Sequence, residues 1–247
     1  MTEGSGSIRE VNMSTVTAVS IPTAGVALTA DVTLVDKAAG IVLFVHGSGS
    51  SRHSPRNQMV AHRLQGVGLS TVLVDLLTPD EEQSEERGAM RRFDIELLVG
   101  RLAGIIDWLD GQPDTVDRPV GLFGASTGAA AALLAAAQRP GRVRAVVSRG
   151  GRPDLAGEAL SRVRAPTLLI VGQRDPTVVE LNEQAVAALP DRCELRVVPN
   201  ATHLFPEPGA LEQVAGWAAE WFERHLAGED LTMDGYLPEP GEPAGGS

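Results

Sequence analysis

Five short apolar runs set the strongest limit on what this chain can become. Ile41–Val45, Ser70–Asp75, 119–123, Val143–Ser148 and Thr167–Gly172 carry few polar residues and do not alternate. A short, continuous apolar run suits a strand buried on both faces, and such strands belong to parallel sheets covered by helices. Helix-forming segments lie between the runs. Asn57–Gln65 puts Val60 and Leu64 on one side, and Ile95, Leu98, Val99, Leu102, Ile105, Ile106 and Leu109 fall at helical spacing. The Ala-rich stretch 127–138, Pro176–Leu189 and about 208–227 read as further helices, the last with Leu211, Val214, Ala218, Trp221 and Phe222 on one face. Asp154–Arg162 reads as a short helix, Glu194–Val198 as the last strand, and 78–87 as an acidic loop. Thr15–Ile21 and Val26–Val35 flank a Pro-Thr-Ala-Gly turn and read as a hairpin. Strands alternating with helices predict an α/β fold: a mostly parallel central sheet of about eight strands, helices on both faces, and an antiparallel edge from the hairpin.

The 247 residues suit one α/β domain over 14–227. Residues 1–13 are expected to be disordered, and 228–247 form an acidic Pro/Gly-rich tail whose five acids face no base. A net charge of −11 argues against nucleic acid or an anionic membrane as partner. No apolar run reaches membrane-spanning length and Met1–Glu10 is too polar for a signal peptide, so a soluble cytoplasmic protein is expected. The single cysteine, Cys193, excludes an internal disulfide and a Cys-cluster metal site. His-Glu-x-x-His is missing as well, so no metal is expected.

In a parallel sheet, ligands sit outside the C-terminal strand ends. Loops 46–56, 76–92, 124–128, 149–154, 172–177 and 200–206 fall there. One of them is Gly124-Ala125-Ser126-Thr127-Gly128, between a strand and a helix. A sharp strand-to-helix turn admits only small residues beside its apex, lifts the serine clear, and sets it at a helix N-terminus. The plainer reading is a Ser/Thr helix cap. A nucleophilic serine needs a base, and the base a carboxylate to orient it. His62 and His225 read as solvent-facing helix residues, whereas His203 lies in the loop after the last strand. Asp175 follows the strand Thr167–Gly172. It could equally be an N-cap before Pro176, and Asp75 and Asp154 are rival acids.

With the order Ser126, Asp175, His203 on three strand-end loops, the chain resembles an α/β-hydrolase over about residues 15–226. It is most similar to the small, lidless, dienelactone-hydrolase-like group, although dienelactone hydrolase itself uses a cysteine nucleophile where this chain has Ser126. The resemblance implies that His46-Gly47-Ser48-Gly49 is the oxyanion loop, with the backbone N–H groups of Ser48 and Thr127 as donors and His46 shaping the loop. It further implies a cofactor-independent serine hydrolase acting on an ester, lactone or thioester through an acyl-enzyme. Only residues 149–165 separate two of the strands, too few for a large lid.

Two other classes compete. A hydrolase fold can serve as a catalytically silent binding or regulatory module. An NAD(P)-dependent short-chain dehydrogenase also carries a Gly-rich turn. Here that turn lies mid-chain, Ala130 stands where a third glycine belongs, and Tyr236 and Lys37, the only tyrosine and lysine, cannot form Tyr-x-x-x-Lys. No cofactor is expected.

Arginines gather around the predicted site: Arg52 and Arg56, Arg149 and Arg152 around Gly150-Gly151, and Arg87, Arg91 and Arg92. A guanidinium matches a carboxylate or phosphate bidentately. An anionic small-molecule substrate is one expectation, with Arg149 and Arg152 as first anchors and Arg52 next. The other is that they pair with the acids of 78–86 and with Asp154 and brace loops.

Overall fold

Eight strands hydrogen-bond in the order β1-β2-β4-β3-β5-β6-β7-β8 in a computed structural model that describes residues 15–86, 90–190 and 192–227. β1 (Val16–Thr23) and β2 (Val26–Thr33) form the antiparallel edge, and β2 also runs antiparallel to β4. β3 (Ile41–Val45), β4 (Ser70–Val74), β5 (Val120–Ala125), β6 (Val143–Arg149), β7 (Thr167–Gly172) and β8 (Cys193–Val198) are parallel. β3, β4, β5 and β7 are buried at every position, as their unbroken apolar character requires. The expectations for 1–13, the tail 228–247, Arg87 and the Arg92 side chain lie outside the described residues.

Two cores cover the sheet. On one face α1 (Pro55–Gly66) and α6 (Ala210–Leu226) bury Val60, Leu64, Val214, Trp221 and Phe222 against Phe44, Phe123, Val147 and Ile170. On the other, α3 (Ile95–Asp110) and α4 (Thr127–Gln138) bury Leu98, Leu102, Ile105, Leu109 and the α4 alanines. The seven periodic positions of α3 thus point inward, apart from the half-buried Ile95. α5 (Pro176–Ala188) covers the same face nearer β8.

Two expectations need correction. Residues 79–86 form a helix, α2 (Pro79–Glu86), where a loop was expected. Its acidic composition hides a capping box: Glu81 N–H donates to Thr78 Oγ1 at 3.3 Å while the Glu81 carboxylate accepts from Thr78 N–H at 2.9 Å, with Pro79 at the first helical position. His225 does not face solvent. It is half-buried, its ring stands edge-on to Trp221 at 4.5 Å, and burial lowers its pKa. The short helix expected over 154–162 is a 3-10 helix, Pro153–Arg162, kinked at Gly157, and no other element intervenes between β6 and β7. The strand ends therefore open toward solvent without an inserted lid.

Candidate active site

Ser126 sits between β5 and α4 with φ 52° and ψ −124°, a conformation that costs a non-glycine residue free energy and is held only by its surroundings. Three backbone hydrogen bonds hold it. Its N–H donates to Arg149 O at 3.2 Å, and its carbonyl accepts from Ala129 N–H and Arg152 N–H, each at 3.1 Å. The flanking glycines are sterically required. A Cβ on Gly124 would lie 2.5 Å from Ala129 Cα, and one on Gly128 would lie 2.3 Å from Val45 O. The Ser-as-cap reading finds no support, since Ser126 makes no side-chain cap bond.

The Gly-rich loop His46-Gly47-Ser48-Gly49 lies alongside. Ser48 N–H donates to Thr127 Oγ1 at 3.1 Å, so it points into the elbow, and the N–H of Thr127 has no acceptor among the described residues. His46 braces the loop with both ring nitrogens: Leu76 N–H donates to Nε2 at 3.1 Å, which leaves the proton on Nδ1 to donate to Gly47 O at 3.0 Å. That arrangement is what the resemblance implied for His46.

His203 Nδ1 lies 2.6 Å from Asp175 Oδ2, with both side chains part-buried. Asp175 does begin α5, but its side chain makes no cap bond and goes to the histidine instead. The His203 loop looks mobile in sequence and is pinned in the structure. Ala201 and Phe205 are buried, and Glu207 accepts from Thr202 Oγ1 at 2.7 Å and from Thr202 N–H at 3.1 Å. Gly150, at φ +52°, packs against His203: a Cβ there would lie 3.2 Å from His203 O and at ordinary contact, 3.4 Å, from Cε1, so its positive φ is what calls for glycine. Gly150 follows directly on Arg149, whose carbonyl holds Ser126, so one turn touches both Ser126 and His203.

The rival acids are committed elsewhere. Asp75 accepts from Arg52 N–H at 2.7 Å and pairs with the Arg52 guanidinium, which also reaches Asp31 at 3.4 Å. Asp154 holds Arg152 bidentately at 2.8 and 2.7 Å. Arg52 and Arg152 thus have their charges matched by acids inside the protein, which is the pairing that the bracing alternative expected. Arg149 differs: it has no carboxylate partner among the described residues and lies only 7% exposed. Sequence reasoning grouped Arg56 with the arginines around the predicted site without ranking it among the anchors. Here it lines a cleft of about 450 Å³ with the loop His46–Ser51, Ser54, Leu76, Leu77, Glu82 and Leu98.

Burial, with Glu194 beside it, pushes the Cys193 thiol up to about 11, which keeps it protonated at neutral pH. No group of three or more metal-ligating side chains occurs among the described residues.

A strained serine elbow, a flanking Gly-rich loop and an Asp-His pair at one end of the sheet define a class, and comparison with known proteins agrees. Residues 38–214 match the alpha/beta hydrolase domain family, and the chain belongs to it. Within that family it is dienelactone-hydrolase-like. It is 54% identical to a crystal structure of dienelactone hydrolase from Anabaena variabilis, with a TM-score of 0.84 over 86% of this chain and 98% of that one. Est1E from Butyrivibrio proteoclasticus shares the fold at 16% identity, with a TM-score of 0.71 over 85% of this chain and 99% of that one. A Mycobacterium tuberculosis protein with a provisional phosphoribosyl transferase name is 59% identical over 84% of this chain. The chain spans 45% of that relative's length.

Proposed function

We propose that the protein is a serine hydrolase that cleaves a carboxylic ester, lactone or thioester. The 2.6 Å contact between His203 Nδ1 and Asp175 Oδ2, beside a strained Ser126, carries this reading. Ser126 Oγ attacks the carbonyl carbon and its proton passes to His203 Nε2. Asp175 keeps the imidazole in the required tautomer and stabilises the imidazolium. The N–H groups of Ser48 and Thr127 receive the oxyanion, which displaces Thr127 Oγ1 from Ser48. Collapse breaks the bond to the leaving group, which takes the proton from Nε2. Water then repeats the sequence on the acyl-enzyme, releasing the acid and restoring Ser126.

The name of the dienelactone hydrolase relative supports the ester or lactone class without fixing the substrate. The transferase name is not carried over. It describes a protein of which this chain matches 45%, and the matched stretch here is the hydrolase domain.

A fluorophosphonate probe tests the reading. Wild type labels at Ser126, and labelling disappears in Ser126→Ala. On a responsive short acyl ester, Asp175→Asn lowers kcat by about 10³–10⁴-fold with the fold intact. Asp75→Asn and Asp154→Asn change kcat only a few-fold. Folded wild type that takes no label would favour the silent-module reading.

A further inference from the structure

We infer that residues 228–247, the acidic segment that follows α6, dock in an arginine-lined groove at the opposite end of the sheet from Ser126. The chain then covers this face with its own acids and leaves the catalytic strand ends free.

The N-terminal ends of β6, β7 and β8 lie side by side, since Val146 pairs with Thr167 and Thr167 with Cys193. A groove of about 970 Å³ opens there against the last turn of α6. Arg144, Arg164 and Arg192 line it, each at or near the start of one of these strands, and all three are exposed. None of the three side chains has a hydrogen-bond or ion-pair partner among the described residues. Arg142 and Arg224 line the groove too, but they are matched: Arg142 by Asp110, and Arg224 by Glu194 at 3.7 Å. Glu194 is itself shared with Arg196 at 2.9 Å. Asp117 is the one further acid on the lining among the described residues. Like charges gathered on one face repel one another, and in a chain of net charge −11 this face runs against the whole.

The groove has an apolar side as well: Trp221, Leu226, Ala165 and Pro166 line it. His225, between Trp221 and the arginines, registers the field. Burial lowers its pKa first, Arg224 lowers it further, Glu194 opposes and Arg192 adds to the lowering. Ala227, where the described chain stops, stands on the groove's rim. The sequence beyond it carries Glu229, Asp230, Asp234, Glu239 and Glu242, with no lysine or arginine. Leu231, Met233, Tyr236 and Leu237 are interspersed among these acids. Glu229 and Asp230 follow Ala227 by two and three residues, so at full extension the chain brings both within about 10 Å of the rim. A segment tethered at the rim meets the groove at an effective concentration near the millimolar range, so individually weak pairs suffice to hold it. Its carboxylates match the unpaired guanidinium groups, and its apolar residues match the Trp221 side. A separate acidic peptide or a free phosphate has the charge match without the tether.

Cys193, the only cysteine of the chain, lines the same groove, so its rate of reaction with N-ethylmaleimide, a neutral reagent, reports whether the groove is covered. Four full-length forms are compared by mass spectrometry. They are wild type; a tail form with Glu229→Gln, Asp230→Asn, Asp234→Asn, Glu239→Gln and Glu242→Gln; a groove form with Arg144→Gln, Arg164→Gln and Arg192→Gln; and the two combined. The tail and groove forms label faster than wild type by about five-fold or more, the loss of a tethered contact. The combined form labels no faster than either, because both sets remove the same contact. Sodium chloride at about 1 M, where the screening length falls to about 3 Å, brings wild type up to the tail form. Excess synthetic peptide of residues 228–247 slows the tail form back toward wild type and leaves the groove form unchanged. Should the groove form not fold, the tail form, the salt and the peptide carry the test. Equal rates in wild type and tail form, or additive gains in the combined form, overturn the proposal. Protection that grows with protein concentration overturns it too, because the segment then sits in the groove of a second copy. So does inorganic pyrophosphate that slows wild type as much as the tail form, because the groove is then open to free anions.

Discussion

Two arginines are buried among the described residues, and they are treated in opposite ways. Arg101, on α3, is 2% exposed and Arg149, on β6, is 7% exposed. Arg101 donates to both oxygens of Glu81, at 2.8 and 2.7 Å, and to Leu76 O at 2.5 Å. Arg149 has the face of Phe123 and a repelling Arg56. The first charge is matched inside the chain and fastens α2 to α3 beneath the cleft. The second is left without a carboxylate partner among the described residues. Nearness to a site therefore does not make an arginine a ligand. What separates the two is whether the protein has already supplied the acid.

The largest effect is expected from making Arg101 resemble Arg149. Glu81→Gln leaves the Arg101 guanidinium buried and unpaired, and the loss of a buried pair's partner costs about 3–5 kcal/mol. The Arg101 hydrogen bonds hold the Glu81 carboxyl down at about 2, against the opposing pull of burial, with Thr78 N–H assisting. A carboxylate so depressed contributes stability that is full above its unfolded pKa, near 4.5, and is lost as pH falls through about 2. Wild type therefore shows an acid limb in its melting profile over that window, and Glu81→Gln flattens it. An unchanged limb would mean that the pair does not stabilise the fold. Arg149→Met should act in the other direction. It removes an unmatched charge and raises the melting temperature, by about 2–4 °C for each kcal/mol gained. A loss instead would assign Arg149 a counter-charge inside the protein and erase the contrast.

The same contrast marks how far the sequence could be read. The parallel strands were legible because β3, β4, β5 and β7 are buried on both faces and so carry no alternation. The elbow was legible because sterics at Gly124 and Gly128 exclude side chains. Asp175 could be ranked above Asp75 and Asp154 only through chain order, since the bonds that commit the latter two are formed with Arg52 and Arg152 in space. α2 went unseen because its acids lowered its apparent helical character, although Thr78-Pro79-Asp80-Glu81 carries the capping-box signal. His225 went unseen because its burial depends on the side of α6 that the sheet meets. The pairing state of an arginine has no sequence signature. Arg149 and Arg152 lie three residues apart around two glycines, and only the register of β6 turns one inward while the other finds Asp154.

The smallest effect is expected at Arg152, and it sharpens the contrast most cleanly. Arg152 and Asp154 are bidentate but part-exposed, at 40% and 27% of their side-chain surfaces. Solvent screening limits such a pair to about 1 kcal/mol or less. Arg152→Ala should therefore lower the melting temperature by no more than about 2–4 °C. Its loss does not remove the Arg152 N–H that donates to Ser126 O at 3.1 Å, since the backbone remains. Turnover on a short acyl ester should stay within a few-fold, because the guanidinium was already satisfied by Asp154. The measurement is the melting temperature, side by side with Arg149→Met. If Arg152→Ala raises it as Arg149→Met does, Asp154 does not match the Arg152 charge. Pairing with Asp154 would then no longer separate a matched arginine from an unmatched one.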